Sequence, residues 1–184
     1  MSVRLTLNHA LDFTLLAVIG LASFFDIKER RVPNWVILFG LSTGIVLAAF
    51  QGNTQLILSI IGFAIAIVAL LIPFALGWMG AGDVKLFAAV GSLIGYTPLP
   101  RVFFYSCITA GVTALLAVVI GKVKQVSFKI LWSDCKFTFL TMRIGLSKSM
   151  RLESGAYSVP WGVAIGAGTI MAYYLDPSGT WAGF

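Results

Sequence analysis

The sequence has little charge. Only 11% of its 184 residues are Asp, Glu, Lys or Arg, while 59% are hydrophobic and the mean hydropathy is +0.95. A soluble domain carries roughly 25% charged residues, so a soluble enzyme is excluded, and the apolar excess excludes a disordered chain. Histidine occurs once, at position 9, and cysteine twice, as Cys107 and Cys135. There is no CxxC and no HExxH, so neither a metal site nor a cofactor is expected. Acids are scarcer than bases, seven against thirteen, for a net charge of +6. In a soluble chain that excess would raise nucleic acid as a partner. In a chain this apolar it reads instead as the basic loops of a membrane protein, and no nucleic-acid partner is expected.

What the chain does contain is long apolar runs. With about 20 residues needed per crossing, they divide it into spans near residues 7–25, 35–50, 56–76, 83–96, 102–120 and 159–175. The expected fold is therefore all-α, a polytopic integral membrane protein of six transmembrane helices, with residues 1–184 forming one membrane domain. The first span is read as an uncleaved anchor, because no small-residue cleavage site follows it. Polar residues 51–55 and the prolines Pro98 and Pro100 mark breaks between spans.

Orientation follows from the bases. With both termini outside, the segments 26–34, 77–85 and 121–157 are cytoplasmic and hold eleven Lys and Arg residues, leaving two, Arg4 and Arg101, on the other side. The positive-inside bias predicts this arrangement. In the basic loop 121–157, Lys122, Lys129, Lys136 and Arg143 recur every seven residues beside an apolar face. That pattern predicts a helix lying in the headgroup layer with its cations toward anionic lipid.

Ionisable residues at membrane depth are costly and mark functional sites. Asp12 and Asp176 fall toward the outer face, and Glu29, Asp134 and Glu153 lie among loop cations. Asp26 and Asp83 remain, one ending the first span and one beginning the fourth, and both fall at the inner boundary. Two carboxylates sharing a proton can supply the base that activates water and the acid that protonates a peptide carbonyl. The simpler readings are that Asp83 caps a helix and that Asp26 balances Lys28, Arg30 and Arg31. Gly80 and Gly82 would let the backbone turn tightly and approach an extended substrate. Lys85 and Arg31 would support the anion of the pair. Pro33 and Asn34 would set the start of the second span. By their helix dipoles, Asp83 would be the ionised partner and Asp26 the protonated one.

The segment Asp26-Ile-Lys-Glu-Arg-Arg-Val-Pro-Asn34 resembles the first-aspartate motif of the type IV prepilin peptidases. Gly80-Ala81-Gly82-Asp83-Val84-Lys85-Leu86 resembles their second, the G-x-G-D of the GxGD membrane aspartyl proteases. Val159-Pro160-Trp161-Gly162 is similar to a third marker, a Pro-aromatic-Gly turn. The resemblance implies an endopeptidase of the cytoplasmic (inner) membrane. Such an enzyme removes the basic leader from prepilins or pseudopilins at the cytoplasmic face, typically after a Gly, using Asp26 and Asp83 as its catalytic pair. It is closest to the small members serving Tad/Flp-type pili. The paired CxxC motifs of the larger, N-methylating members are absent, so methylation of the new terminus is not expected. Archaeal preflagellin peptidases are a related possibility. The Pro-Ala-Leu motif of presenilin-like proteases is absent. Two other classes compete. A transporter would need acids at the bilayer midplane and inverted repeats. A scaffold using loop 121–157 for docking would leave both aspartate motifs unexplained. The sequence does not fix the oligomeric state.

Overall fold

The structure is a computed structural model that describes residues 2–75, 79–119 and 160–175. The described residues are helical, with no strand among them: α1 (Ser2–Glu29), α2 (Asn34–Gln51), α3 (Asn53–Ala75), α4 (Ala81–Ile94), α5 (Leu99–Val119) and α6 (Trp161–Ile170), which continues as a π-helical turn, Met171–Leu175. The basic loop 121–157, with its expected headgroup helix, lies outside the described residues.

Consecutive helices alternate in direction. Gly40 of α2 faces Val18 of α1, Gly62 of α3 faces Gly91 of α4, Gly166 of α6 faces Ser23 of α1, and Gly168 of α6 faces Ser106 of α5. These pairs set the chain running up and down, so that the C-termini of α1, α3 and α5 share one end with the N-termini of α2, α4 and α6. The recurring element is a small residue at the closest approach. Lipid tails are as apolar as leucine, so helices in a membrane gain little from burying apolar area against one another. They gain from close backbone packing and interhelical hydrogen bonds. At Gly44 a Cβ would lie 2.8 Å from the Ser92 hydroxyl, and between Gly62 and Gly91 it would run into backbone. Polar side chains bridge the same seams: Ser59 donates to the Ser92 carbonyl at 2.7 Å and Thr109 to the Ala164 carbonyl at 2.8 Å.

The helix α4 is the hub. It packs against α1, α2, α3 and α6, every residue from Leu86 to Leu93 is buried, and Phe87 meets Phe103 of α5 edge to face. A helix apolar on all sides belongs in such an interior. The outside of the bundle is equally apolar: Phe13, Phe50, Ile72 and Leu115 are each more than two-thirds exposed, as suits a lipid-facing surface.

Among the described residues, four helices are long and apolar enough to cross a membrane: α1 over His9–Glu29, α2, α3, and α5 over Leu99–Leu116. The other two expected spans are shorter. At 1.5 Å per residue, the 14 residues of α4 reach about 21 Å, less than the roughly 30 Å of a hydrocarbon core, and Trp161–Leu175 is similarly short. Among the described residues, length alone marks four helices as crossings, and the expected count of six is not established by it.

Candidate active site

The end of the bundle that gathers three helix N-termini also gathers the two aspartates. The last apolar residue of the expected first span is Phe25, yet α1 runs on through Asp26, Ile27 and Lys28 to Glu29. Asp26 thus occupies the last helical turn. It is only 6% exposed. Arg30 follows with φ +52°, a left-handed conformation that reverses the chain after α1, and its N–H closes the last bond to the Asp26 carbonyl at 3.0 Å.

A buried carboxylate must find donors, and those of Asp26 come from α6. Its Oδ2 accepts the Val163 N–H at 3.2 Å, and the Gly162 backbone supplies a second hydrogen bond. The charge of Arg30 also reaches it. Pro160 is the N-cap of α6 and offers no side-chain cap, so the Gly162 and Val163 N–H groups of the first turn serve a carboxylate from α1 instead. Ser23, one turn before Asp26, donates to the Gly162 carbonyl at 3.4 Å.

Asp83 is held differently. Gly80 is the N-cap of α4, and Asp83 is the third helical residue, not the cap. Its Oδ2 accepts the Gly80 N–H at 3.0 Å, while the Asp83 N–H bonds to the Gly80 carbonyl at 3.2 Å. This reciprocal pair closes the first turn much as a capping box does. Asp83 is half-buried, and the charge of Asp26 acts on it across the gap between α1 and α4. Carboxylates 57 positions apart in sequence are therefore electrostatic neighbours.

The remaining expected residues fall around this pair. Gly80 has φ −82° and ψ 159°, a conformation open to any residue. No left-handed turn is needed there. Gly82 lies against Val32, whose Cβ would sit 3.9 Å from a Cβ at 82. Pro33 is the N-cap of α2 and Asn34 its first residue. Lys85 and Arg31 are exposed. Pro160 is the N-cap residue of α6. The sequence reading did not single out Val163; it named Gly162 only within the Pro-aromatic-Gly marker and Arg30 only as a charge balancing Asp26, and gave neither a role in seating that carboxylate. The one signal for Gly162 and Val163 was the glycine directly after Pro160-Trp161, inside the first turn of a helix. Each carboxylate bonds to the N-terminus of a helix, so the dipole argument that made Asp83 the ionised partner does not separate them. Among the described residues no three His, Cys, Asp or Glu side chains gather as a metal site would need.

A helical bundle with several membrane-length helices and two carboxylates meeting at one end defines the class: a polytopic membrane protein with an acidic pair at its helix termini. Residues 13–115 match the type IV leader peptidase family, and the chain belongs to that family. Among curated proteins it is 30% identical over 131 residues to "Prepilin peptidase EppA" of Methanococcus maripaludis, a match covering 70% of this chain and 36% of that protein. It is 27% identical over 125 residues to "Prepilin leader peptidase/N-methyltransferase" of Bacillus subtilis, covering 67% of this chain and 50% of that protein. The match thus spans half or less of each relative's length. No solved structure matches the chain.

Proposed function

We propose that the protein is a membrane aspartyl endopeptidase that removes the basic leader from a type IV prepilin or pilin-like preprotein, with Asp26 and Asp83 as its catalytic carboxylates. The observation that carries this reading is that Asp26 and Asp83, on helices far apart in sequence, lie at the same end of the bundle, near enough for the charge of Asp26 to act on Asp83. Membership of the leader peptidase family supports the same conclusion.

The chemistry needs only these two groups and water. The ionised carboxylate takes a proton from water as its oxygen attacks the peptide carbonyl. The protonated carboxyl gives its proton to the carbonyl oxygen. As the tetrahedral intermediate collapses, the C–N bond breaks and the proton taken from water goes to the leaving amine. Exposed Lys85 and Arg31 support the anion or hold an acidic group of the substrate.

The aspartates lie at the cytoplasmic boundary of the inner membrane in a six-span, N-out/C-out arrangement. Here α4 and α6 complete the count as short spans, shielded from lipid by their neighbours. A prepilin whose apolar helix lies in the bilayer presents its leader junction at this depth. An apolar trough of about 310 Å³ between α1 and α6, with Leu16, Ile170 and Ala167 along it and Ser23 and Val163 at the end nearest Asp26, offers apolar side chains of that helix a place beside α1. Tad/Flp-type pili are the proposed destination. N-methylation is not part of the activity, because the chain has no CxxC pair.

The test is purified protein in liposomes with a prepilin, read by mass spectrometry. Release of the leader after its Gly, with no methyl added to the new terminus, is the expected result. A bulky residue in place of the substrate Gly should block release. Cleavage indifferent to that residue, or no cleavage of any prepilin, would overturn the reading.

A further inference from the structure

We infer that the first turn of α6 positions Asp26, and that Gly162 is the residue that makes this seat possible; the inference rests on the proposed role of Asp26. Three observations meet there. Asp26 is buried, and its Oδ2 accepts backbone donors from α6. No side chain fits at position 162, where a Cβ would lie 2.8 Å from Asp26 Oδ2 and 3.0 Å from its Cβ and Cγ. Those atoms belong to the short, stiff stem of Asp26, so the clash could be relieved only by moving the carboxylate or the helix. Finally, α1 grips the same residue twice, because Ser23 donates to the Gly162 carbonyl while Asp26 accepts from the N–H side. Position 162 lies beyond the 13–115 segment that matches the family, so the site depends on chain outside that match.

The physical content is a cap supplied in trans. The first N–H groups of a helix lack intrahelical partners, and α6 begins at a proline with no side chain to cap them. A carboxylate from α1 satisfies these donors and is fixed in return. A reacting group misplaced by about 1 Å costs on the order of 100-fold in rate. Gly162 and Val163 therefore act as positioning residues and need not touch substrate.

The test uses the full-length protein in liposomes, with leader cleavage resolved into kcat and KM and thermal unfolding followed in parallel. Gly162→Ala should lower kcat about 100-fold with KM little changed. Val163→Pro should do the same by deleting the donor N–H, which lies in the first turn and makes no intrahelical bond that proline would break. Gly168→Ala, which crowds α6 against Ser106 of α5 away from Asp26, should lower the unfolding temperature yet leave kcat per folded molecule near wild type. Gly111→Ala, where a Cβ meets nothing within 4 Å, should change neither. Should Gly162→Ala not accumulate as folded protein, Val163→Pro decides. Wild-type kcat in either Gly162→Ala or Val163→Pro, or an equal loss of kcat in Gly168→Ala, would overturn the inference. If wild type itself cleaves no prepilin, the functional reading has failed. If wild type cleaves, Asp26→Asn does not and Gly162→Ala does, the positioning inference alone has failed.

Discussion

At the scale of single residues, the site is built from groups whose roles depend on what lies across the bundle. Arg30 illustrates this. Its left-handed φ of +52° costs roughly 1–2 kcal/mol in a residue with a Cβ, and glycine or asparagine usually takes such a position. The charge it brings to Asp26 offers a reason to keep an arginine there. Arg30→Gln should slow cleavage without abolishing it, and Arg30→Lys should retain most activity. Full activity in Arg30→Gln, at equal protein level, would remove Arg30 from the site. Lys85→Met should likewise slow the reaction, and a loss as complete as that of Asp83→Asn would mean that Lys85 has been given too small a role. The two aspartates were legible in the sequence because acids are few and both fall where apolar runs end. Gly162 was named only as part of a motif, and the reason for a glycine there was not legible, because it arises from a carboxylate 136 positions earlier in the chain. Gly80 and Gly82 were read as letting the backbone turn tightly near Asp83; Gly80 stands at the N-cap of α4 in an extended conformation, so the turn there needs no left-handed residue.

At the scale of helices, small residues rather than large ones decide the packing. Bulk added between α3 and α4 meets backbone, which cannot yield as a side chain can. Gly91→Leu should therefore cost at least the roughly 1–3 kcal/mol typical of overpacking, and should lower both unfolding temperature and accumulated protein. Ser59→Ala removes only the bond to the Ser92 carbonyl. Interhelical hydrogen bonds of this kind average about 0.6 kcal/mol, so its unfolding temperature should shift little. The reverse order would mean that hydrogen bonds hold this seam. Hydropathy gave each helix but not its ends. The expected first span stops at 25 because charge begins at Asp26, whereas the helix continues to Glu29. Apolar runs report where lipid begins, and hydrogen bonding reports where the helix stops. The 14-residue spacing of Asp12 and Asp26 is close to four helical turns, so both acids face α6. Tyr173 in the π-helical turn donates to Asp12 as Val163 does to Asp26. The α1–α6 seam is thus tied at both ends by an acid.

For the whole molecule, the alternation of helix directions brings the ends carrying Asp26, Asp83 and Gly162 to one side, and the basic residues mark that side as cytoplasmic in the proposed orientation. Reporter fusions at Gln51 and Thr97 should read external and a fusion at Ser147 internal. An external reading at Ser147 would move both aspartates to the wrong face for a leader that never leaves the cytoplasm. The all-helical class was legible from composition alone. The span count was less so, since α4 is short for a crossing by itself and apolar composition does not tell a short span enclosed by neighbours from a buried core helix.

The central claim is that Asp26 and Asp83 act as one unit, and leader cleavage in four proteins tests it most directly: wild type, Asp26→Asn, Asp83→Asn and the double variant, compared at matched amounts of folded protein in the membrane. Each single change should remove activity by several orders of magnitude, because one carboxyl group cannot both activate water and protonate the carbonyl. The double change should cost scarcely more than either, since groups acting as a unit are not additive. Substantial cleavage by Asp26→Asn, or losses that multiply in the double variant, would contradict the account.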